Sequence, residues 1–369
     1  MAICGYQTSN GKEHVIFINA DSHVYELVYS NDKWGYLDLT KKTGAPNTAL
    51  KSPVVGYQTS NGYEHINYIG NDNHVHELIY TGQWRDNDLT VSALKKGPAP
   101  NAVPGSALDA YQTSNGHVHV NFIGEKRQTE ENSQIYELIY TDHWKCNNIS
   151  NGKRAGAGSG LTGYQTPNGY EHVNYIDSFV YELIYTDQWK DNDLHLHVVG
   201  PGQAVAGSAT PLKGLVTSNG KEHVFYIDAR GGVHELIYTA LPGTSQGWFD
   251  NTLGGTADPT TQLTAYQTSN GYEHVNYVDL NGHVHELIYT GQWKDNDLTT
   301  RTKPHSAPVA DSEKGLAGYQ TSNGYEHVNY MDAKYQVYEL IYAKGQWAVN
   351  NLRVQAKVPA VAEMSLAGD

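Results

Sequence analysis

Cysteine, methionine and phenylalanine are scarce in this 369-residue chain, with 2, 3 and 5 copies respectively. Two cysteines in separate parts of the sequence, Cys4 and Cys146, exclude a disulfide framework and leave either free thiols or a bridge between subunits. Cations are few: 25 Lys and Arg stand against 39 Asp and Glu, for a formal charge of −14, and they form no block. Nucleic acid, anionic membranes and polyanionic ligands all require clustered cations, so a neutral ligand suits this surface better. No stretch approaches the ~20 apolar residues of a membrane-spanning helix, so membrane insertion is not expected. The opening MAICGYQTSNG enters a repeated phrase at once, without the charged and apolar regions of a classical signal peptide, so a soluble chain is expected. Helical periodicity is missing as well, because Gly, Pro or Asn interrupts every segment of about 10 to 12 residues before a 3.6-residue pattern develops.

What the chain has in quantity is tyrosine, 28 copies with 7 tryptophans, and repetition. Gly-Tyr-Gln-Thr-Ser-Asn-Gly or a close variant begins at Gly5, Gly56, Ala110, Gly163, Gly214, Ala265 and Gly318. Each copy continues through a Glu-His-Val-Asn-Tyr segment, a Glu-Leu-Ile-Tyr segment and a Trp-Lys-Asp-Asn-Asp-Leu segment into a Pro/Gly/Ala/Ser-rich connector. In the second copy Val54 to Thr59, Tyr63 to Ile69, His74 to Thr81 and Trp84 to Thr90 read as four antiparallel strands, the first two joined by an Asn-Gly turn with positive φ angles. One such sheet cannot bury both faces alone, and radial stacking avoids exposed end sheets. The expected fold is all-β: one seven-bladed β-propeller over residues 1–369, with four antiparallel strands per blade. The tail Ser365-Leu366-Ala367-Gly368 echoes Gly315-Leu316-Ala317-Gly318, so N- and C-terminal segments are expected to pair and close the ring.

The copies also serve as an internal alignment. A second-strand His (His14, His65, His119, His172, His223, His274, His327) and a third-strand Glu (Glu26, Glu77, Glu137, Glu182, Glu235, Glu286, Glu339) occur in every copy and read as hydrogen-bonding partners between blades. Every copy also has one Trp: Trp34, Trp84, Trp144, Trp189, Trp248, Trp293 and Trp347. Other positions change together. After Asn-Gly, Tyr63, Tyr170, Tyr272 and Tyr325 are each followed four residues on by Asn67, Asn174, Asn276 and Asn329. Copies one and five have Lys12 with Ile16 and Lys221 with Phe225, and copy three has His117 with Asn121. Paired positions on one strand face suggest a ligand site present in some blades and altered in others. Tyr63, Trp84 and Tyr80 approach the same end of their blade and form an aromatic cluster edged by amides and hydroxyls. Such a cluster fits the C–H face and the hydroxyls of a sugar without a cofactor.

These motifs resemble those of the seven-bladed β-propeller lectins of Photorhabdus bacteria, and the likeness spans the whole chain. The resemblance implies pockets between blades for L-fucose and O-methylated sugars on host glycoconjugates, a tendency to form homo-oligomers, and a bacterial cytoplasmic location with non-classical release. It also implies pocket roles for the four Tyr/Asn pairs and for the Trp of each blade boundary. Copy five, which reads Gly214-Leu215-Val216, and copy three, with Val118 in place of Glu and an insertion from Glu125 to Gln134, depart from the pattern.

Rival readings remain. A glycosidase would need two nearby carboxylates, and an even-length hairpin after Ile176 would put Glu171 and Glu182 on one face. Six equal catalytic centres on one chain would be odd, so no enzymatic activity is expected. His74-x-His76-Glu77, His283-x-His285-Glu286 and His195-x-His197 place alternating His on a strand but lack further ligands at characteristic spacing, so no metal is expected. A protein-interaction scaffold without sugar specificity is the serious alternative.

Overall fold

A computed structural model describes residues 2–93, 99–125, 133–150, 155–156, 158–198, 206, 211–240 and 246–359. Seven antiparallel sheets follow one another, each drawing its four strands in sequence order from one repeat, and together they form a seven-bladed β-propeller. In blade 2 the strands are Val54–Gln58, Glu64–Ile69, Val75–Tyr80 and Trp84–Asp88. The first strands surround the axis, where a cavity of about 220 Å³ is lined by Cys4, Val55, Asp109, Lys213, Ala265 and Ala317 among others.

The turn between the first two strands differs from the expected one. Thr59 and Tyr63 close a three-residue loop in which only Gly62 takes a positive φ, of 86°. Asn61 is spent differently: its Oδ1 accepts from Thr59 Oγ1 at 2.7 Å and from the Tyr63 N–H at 3.1 Å. A side-chain acceptor thus pins the loop, and glycine supplies the left-handed residue.

Short helices of four or five residues follow the fourth strand in five blades, for example Leu39–Thr43, Leu89–Ala93 and Leu352–Ala356. The sequence reading missed them by running the strand on to Thr90. Asp38, Asp88, Asp297 and Asn351 cap four of these helices by accepting a backbone N–H from the first turn, and Leu39, Leu89, Leu298 and Leu352 are buried in them.

Blades stack through apolar faces. Ile123 and Ile135 of blade 3 meet Leu161, Val173 and Leu183 of blade 4, and six comparable clusters complete the ring. The contact is close: a Cβ on Gly163 would lie 2.5 Å from the Tyr111 ring of the preceding blade. Neighbouring hairpins are also clipped. The Ser60 N–H donates to Gln112 Oε1 of the next blade at 2.7 Å, and the same bond joins Ser9 to Gln58, Ser114 to Gln165, Ser218 to Gln267, Ser269 to Gln320 and Ser322 to Gln7. Blade 4 has Pro167, which lacks an N–H, opposite Val216 of blade 5, which lacks the acceptor.

The last of these clips brings the first and last blades together. Buried Arg353 adds a second link, donating to Asn19 Oδ1 at 2.9 Å. The tail Ser365 to Gly368 lies outside the described residues, as does most of the copy-three insertion.

Candidate functional site

Strand register decides which side chains can meet. In blade 2, Tyr57, His65, Ile79 and Arg85 oppose one another across the sheet, and Tyr63 shares their face by alternation. Glu64, Tyr80 and Trp84 lie on the other face. Tyr63 and Trp84 therefore do not build one cluster within their blade. Tyr63 instead faces the Tyr140 and Trp144 of blade 3, across a cavity of about 480 Å³. Its blade 2 wall includes Thr59, His65, Glu77, Ile79, Arg85 and Asn87, and its blade 3 wall includes Gln112, Gly116 and Val118.

Beneath the tyrosine sits a buried polar chain. His65 Nδ1 donates to Glu77 Oε1 at 2.8 Å, Asn87 Nδ2 donates to Glu77 Oε2 at 3.1 Å, and Thr59 Oγ1 lies 3.1 Å from His65 Nε2. Tyr57 stacks on the imidazole at 5.1 Å and 8°. The same His–Glu contact occurs in all seven blades at 2.7 to 2.9 Å. Each of these bonds joins the second and third strands of one blade, whereas the sequence reading expected hydrogen bonding between blades.

A second glutamate reaches the histidine from the next blade. His14 Nδ1 lies 3.6 Å from Glu64, His119 3.6 Å from Glu171, His172 3.4 Å from Glu222, His223 3.8 Å from Glu273, His274 3.8 Å from Glu326 and His327 3.8 Å from Glu13. Burial pushes all six carboxyls above their ordinary value, partly offset by the facing histidine. Only the blade 2–3 boundary has Val118 there, so His65 lacks the second glutamate that reaches the histidine at the other six. These glutamates and the Gln112-type clip were not among the expected site residues. Their signal was present as recurrence in six copies, but of these residues only Glu171 was weighed, as half of a glycosidase pair with Glu182.

The expected Asn residues lie elsewhere. Asn67, Asn174, Asn276 and Asn329 are fully buried, one step below the histidine on the same strand face, and are not at the pocket surface. Where Asn gives way to Ile16 and Phe225, the replacements are equally buried, so this half of the coupled pattern belongs to blade packing.

The tyrosine half has another consequence. Trp144, Trp248, Trp347 and Trp34 face Tyr63, Tyr170, Tyr272 and Tyr325 of the preceding blade, and all four are less than a tenth exposed. Trp84, Trp189 and Trp293 face Lys12, His117 and Lys221 and remain half-exposed. In every blade the Trp packs against the Tyr across from it at 5.4 Å. Four boundaries thus present mainly tyrosine, with Tyr63 and Tyr140 both 42% exposed, and three present tryptophan.

Glu171 and Glu182 fall on opposite faces of their sheet, opposite Tyr185 and Asn174. The even-length hairpin that would have put them on one face does not form: Asp177 pairs with Phe179 around Ser178, whose φ is 66°. No intrachain disulfide joins Cys4 and Cys146, and burial pushes the Cys4 thiol up to about 12. The side chains of His195 and His197 lie outside the described residues. Among the described residues no helix is long and apolar enough to cross a membrane.

The fold is shared with solved lectin structures. A lectin from Burkholderia pseudomallei, BP39L, superposes with a TM-score of 0.69 at 12% identity, covering 94% of this chain and 97% of that one. The six-bladed fungal lectin of Aleuria aurantia, described with a novel mode of fucose recognition, gives 0.54 at 14% identity over 83% of this chain and 96% of its own. SapL1 lectin, solved with α-methyl fucoside, gives 0.53 at 15% identity over 81% and 95%. No family model matches the chain. No curated protein matches it either.

Proposed function

We propose that this propeller is a multivalent lectin that binds L-fucose and O-methylated sugars of host glycoconjugates in pockets between its blades. The observation that carries the reading is the composite blade 2–3 pocket, in which tyrosine from one blade faces a Tyr–Trp pair of the next above buried histidine and carboxylate; the same residues recur at four of the seven boundaries. Aromatic faces take the C–H side of a pyranose, and the Gln, Asn and Glu groups accept or donate to its hydroxyls. The propellers that share the fold include proteins described as binding fucose, which supports the choice of sugar.

The reading is non-enzymatic. The Thr59 hydroxyl beside His65 has Asn61 Oδ1 at 2.7 Å to accept its proton. A glycan array tests the reading: fucosylated and O-methylated glycans should bind, and millimolar L-fucose should release them. An array on which neither class binds leaves the scaffold alternative standing.

A further inference from the structure

At the end of the sheets opposite the pockets, the loop between the second and third strands brings histidine and aspartate together. In blade 2 Asp72 Oδ2 lies 3.2 Å from His76 Nε2 and 3.8 Å from His74 Nδ1, and Asp88 Oδ2 lies 2.7 Å from His74 Nδ1. One donor atom from each of these four residues lies within 4.8 Å of all the others. Bonds of about 2.05 Å in a tetrahedral zinc site separate neighbouring ligand atoms by about 3.4 Å, a value the three observed spacings bracket.

Three of the four donor atoms are aimed by a contact made elsewhere on their side chains. His76 Nδ1 donates to Asp86 Oδ1 at 3.1 Å, which leaves the Nε2 lone pair directed at the cluster, and Tyr68 stacks on the same ring at 5.5 Å. The His74 N–H occupies Asp72 Oδ1 at 3.1 Å, and the Val91 N–H occupies Asp88 Oδ1 at 2.9 Å, so the second oxygen of each carboxylate is turned inward. The side chain of His76 is 3% exposed, whereas Asp72 is 40% and His74 27% exposed, so the cluster has a fixed floor and an open entrance.

Blade 6 repeats the arrangement. Asp279, His283 and His285 bring donor atoms within 4.8 Å of one another, and Asp295 holds His285 Nδ1 at 3.0 Å as Asp86 holds His76. Blade 1 has Tyr25 where the second histidine would be, with its hydroxyl donating to Asp21 at 3.0 Å. The histidine and glutamate groups between blades are already hydrogen-bonded to one another, as His65 is to Glu77 at 2.8 Å.

We propose that Asp72, His74, His76 and Asp88 form a binding site for a divalent transition metal, with a second site at Asp279, His283 and His285. Mixed imidazole and carboxylate ligands suit Zn²⁺, Co²⁺ or Ni²⁺, whereas Ca²⁺ and Mg²⁺ select all-oxygen sites. The site stands apart from the sugar pockets and does not depend on them.

The test is calorimetric titration of the chelator-treated full chain, free of any histidine tag, with ZnCl₂. Saturable binding of two ions per chain is expected, falling to one in His74→Ala and to one in His283→Ala. Asp86→Asn should weaken the blade 2 site about 10- to 100-fold while leaving its ligands in place. Both histidines sit at a solvent-facing edge, and circular dichroism confirms that the variants fold. Titration with CoCl₂ should give the visible bands of a tetrahedral N/O site, reduced by half in His74→Ala. Absence of saturable Zn²⁺ binding, or binding unchanged in both alanine variants, overturns the proposal.

Discussion

Tyr63 and Glu64 are neighbours in sequence that face different blades, and each carries a measurable consequence. Tyr63 supplies exposed aromatic surface opposite Tyr140 and Trp144. Replacing it with alanine should cost the blade 2–3 pocket about 1 kcal/mol of sugar affinity, roughly fivefold, and soaked crystals should show lower occupancy there than at the other boundaries. Glu64 points to His14 of blade 1, and burial raises its carboxyl above the ordinary value, an effect the facing histidine partly opposes. The native state then keeps this proton at a pH where the unfolded chain, with a value of about 4.3, has released it. The associated stability is complete below the unfolded value and is lost as pH rises through the raised one. Glu64→Gln cannot ionise, so its melting temperature should fall less than that of the parent as pH rises from about 4.3. Parallel melting curves across that interval would count against a perturbed Glu64.

At the scale of the element, the hairpin clip offers a test built into the sequence. Pro167 and Val216 replace donor and acceptor on facing hairpins, leaving one boundary without the Ser–Gln bond that six others have. Pro167→Ser with Val216→Gln should add about 1 kcal/mol, seen in denaturant titrations, while neither single change does. Additive effects in that cycle would show that the clip does not form. Blade boundaries, strand order and the His–Glu contacts were legible because seven copies repeat them at fixed spacing. Pocket composition was not, because period-2 alternation tells which residues share a face but not which blade that face meets. Trp84 was accordingly grouped with Tyr63 rather than with Lys12. Likewise the sequence left open whether Glu171 and Glu182 share a face, because that turns on hairpin parity, and the one-residue loop at Ser178 puts them on opposite faces. The helix at Leu89 went unread although Asp88 before it is a capping residue, because the strand pattern was carried through to Thr90.

On the scale of the whole molecule, the proposed sugar pockets would gain through number: a surface dense in sugar would engage several at once, making the second contact intramolecular. The Asn-Gly hairpins and the tyrosines that follow them all lie at one end of the ring, with the histidine and aspartate clusters at the other. A disc whose adhesive patches all open toward one side can lie flat on a cell like a coin on a table, and a single coin glues nothing above it. Joining two cells then takes two discs set back to back. The chain held monomeric, as verified by sedimentation, should still coat fucosylated cells yet leave them dispersed, whereas clumping by a proven monomer would mean that the patches point both ways.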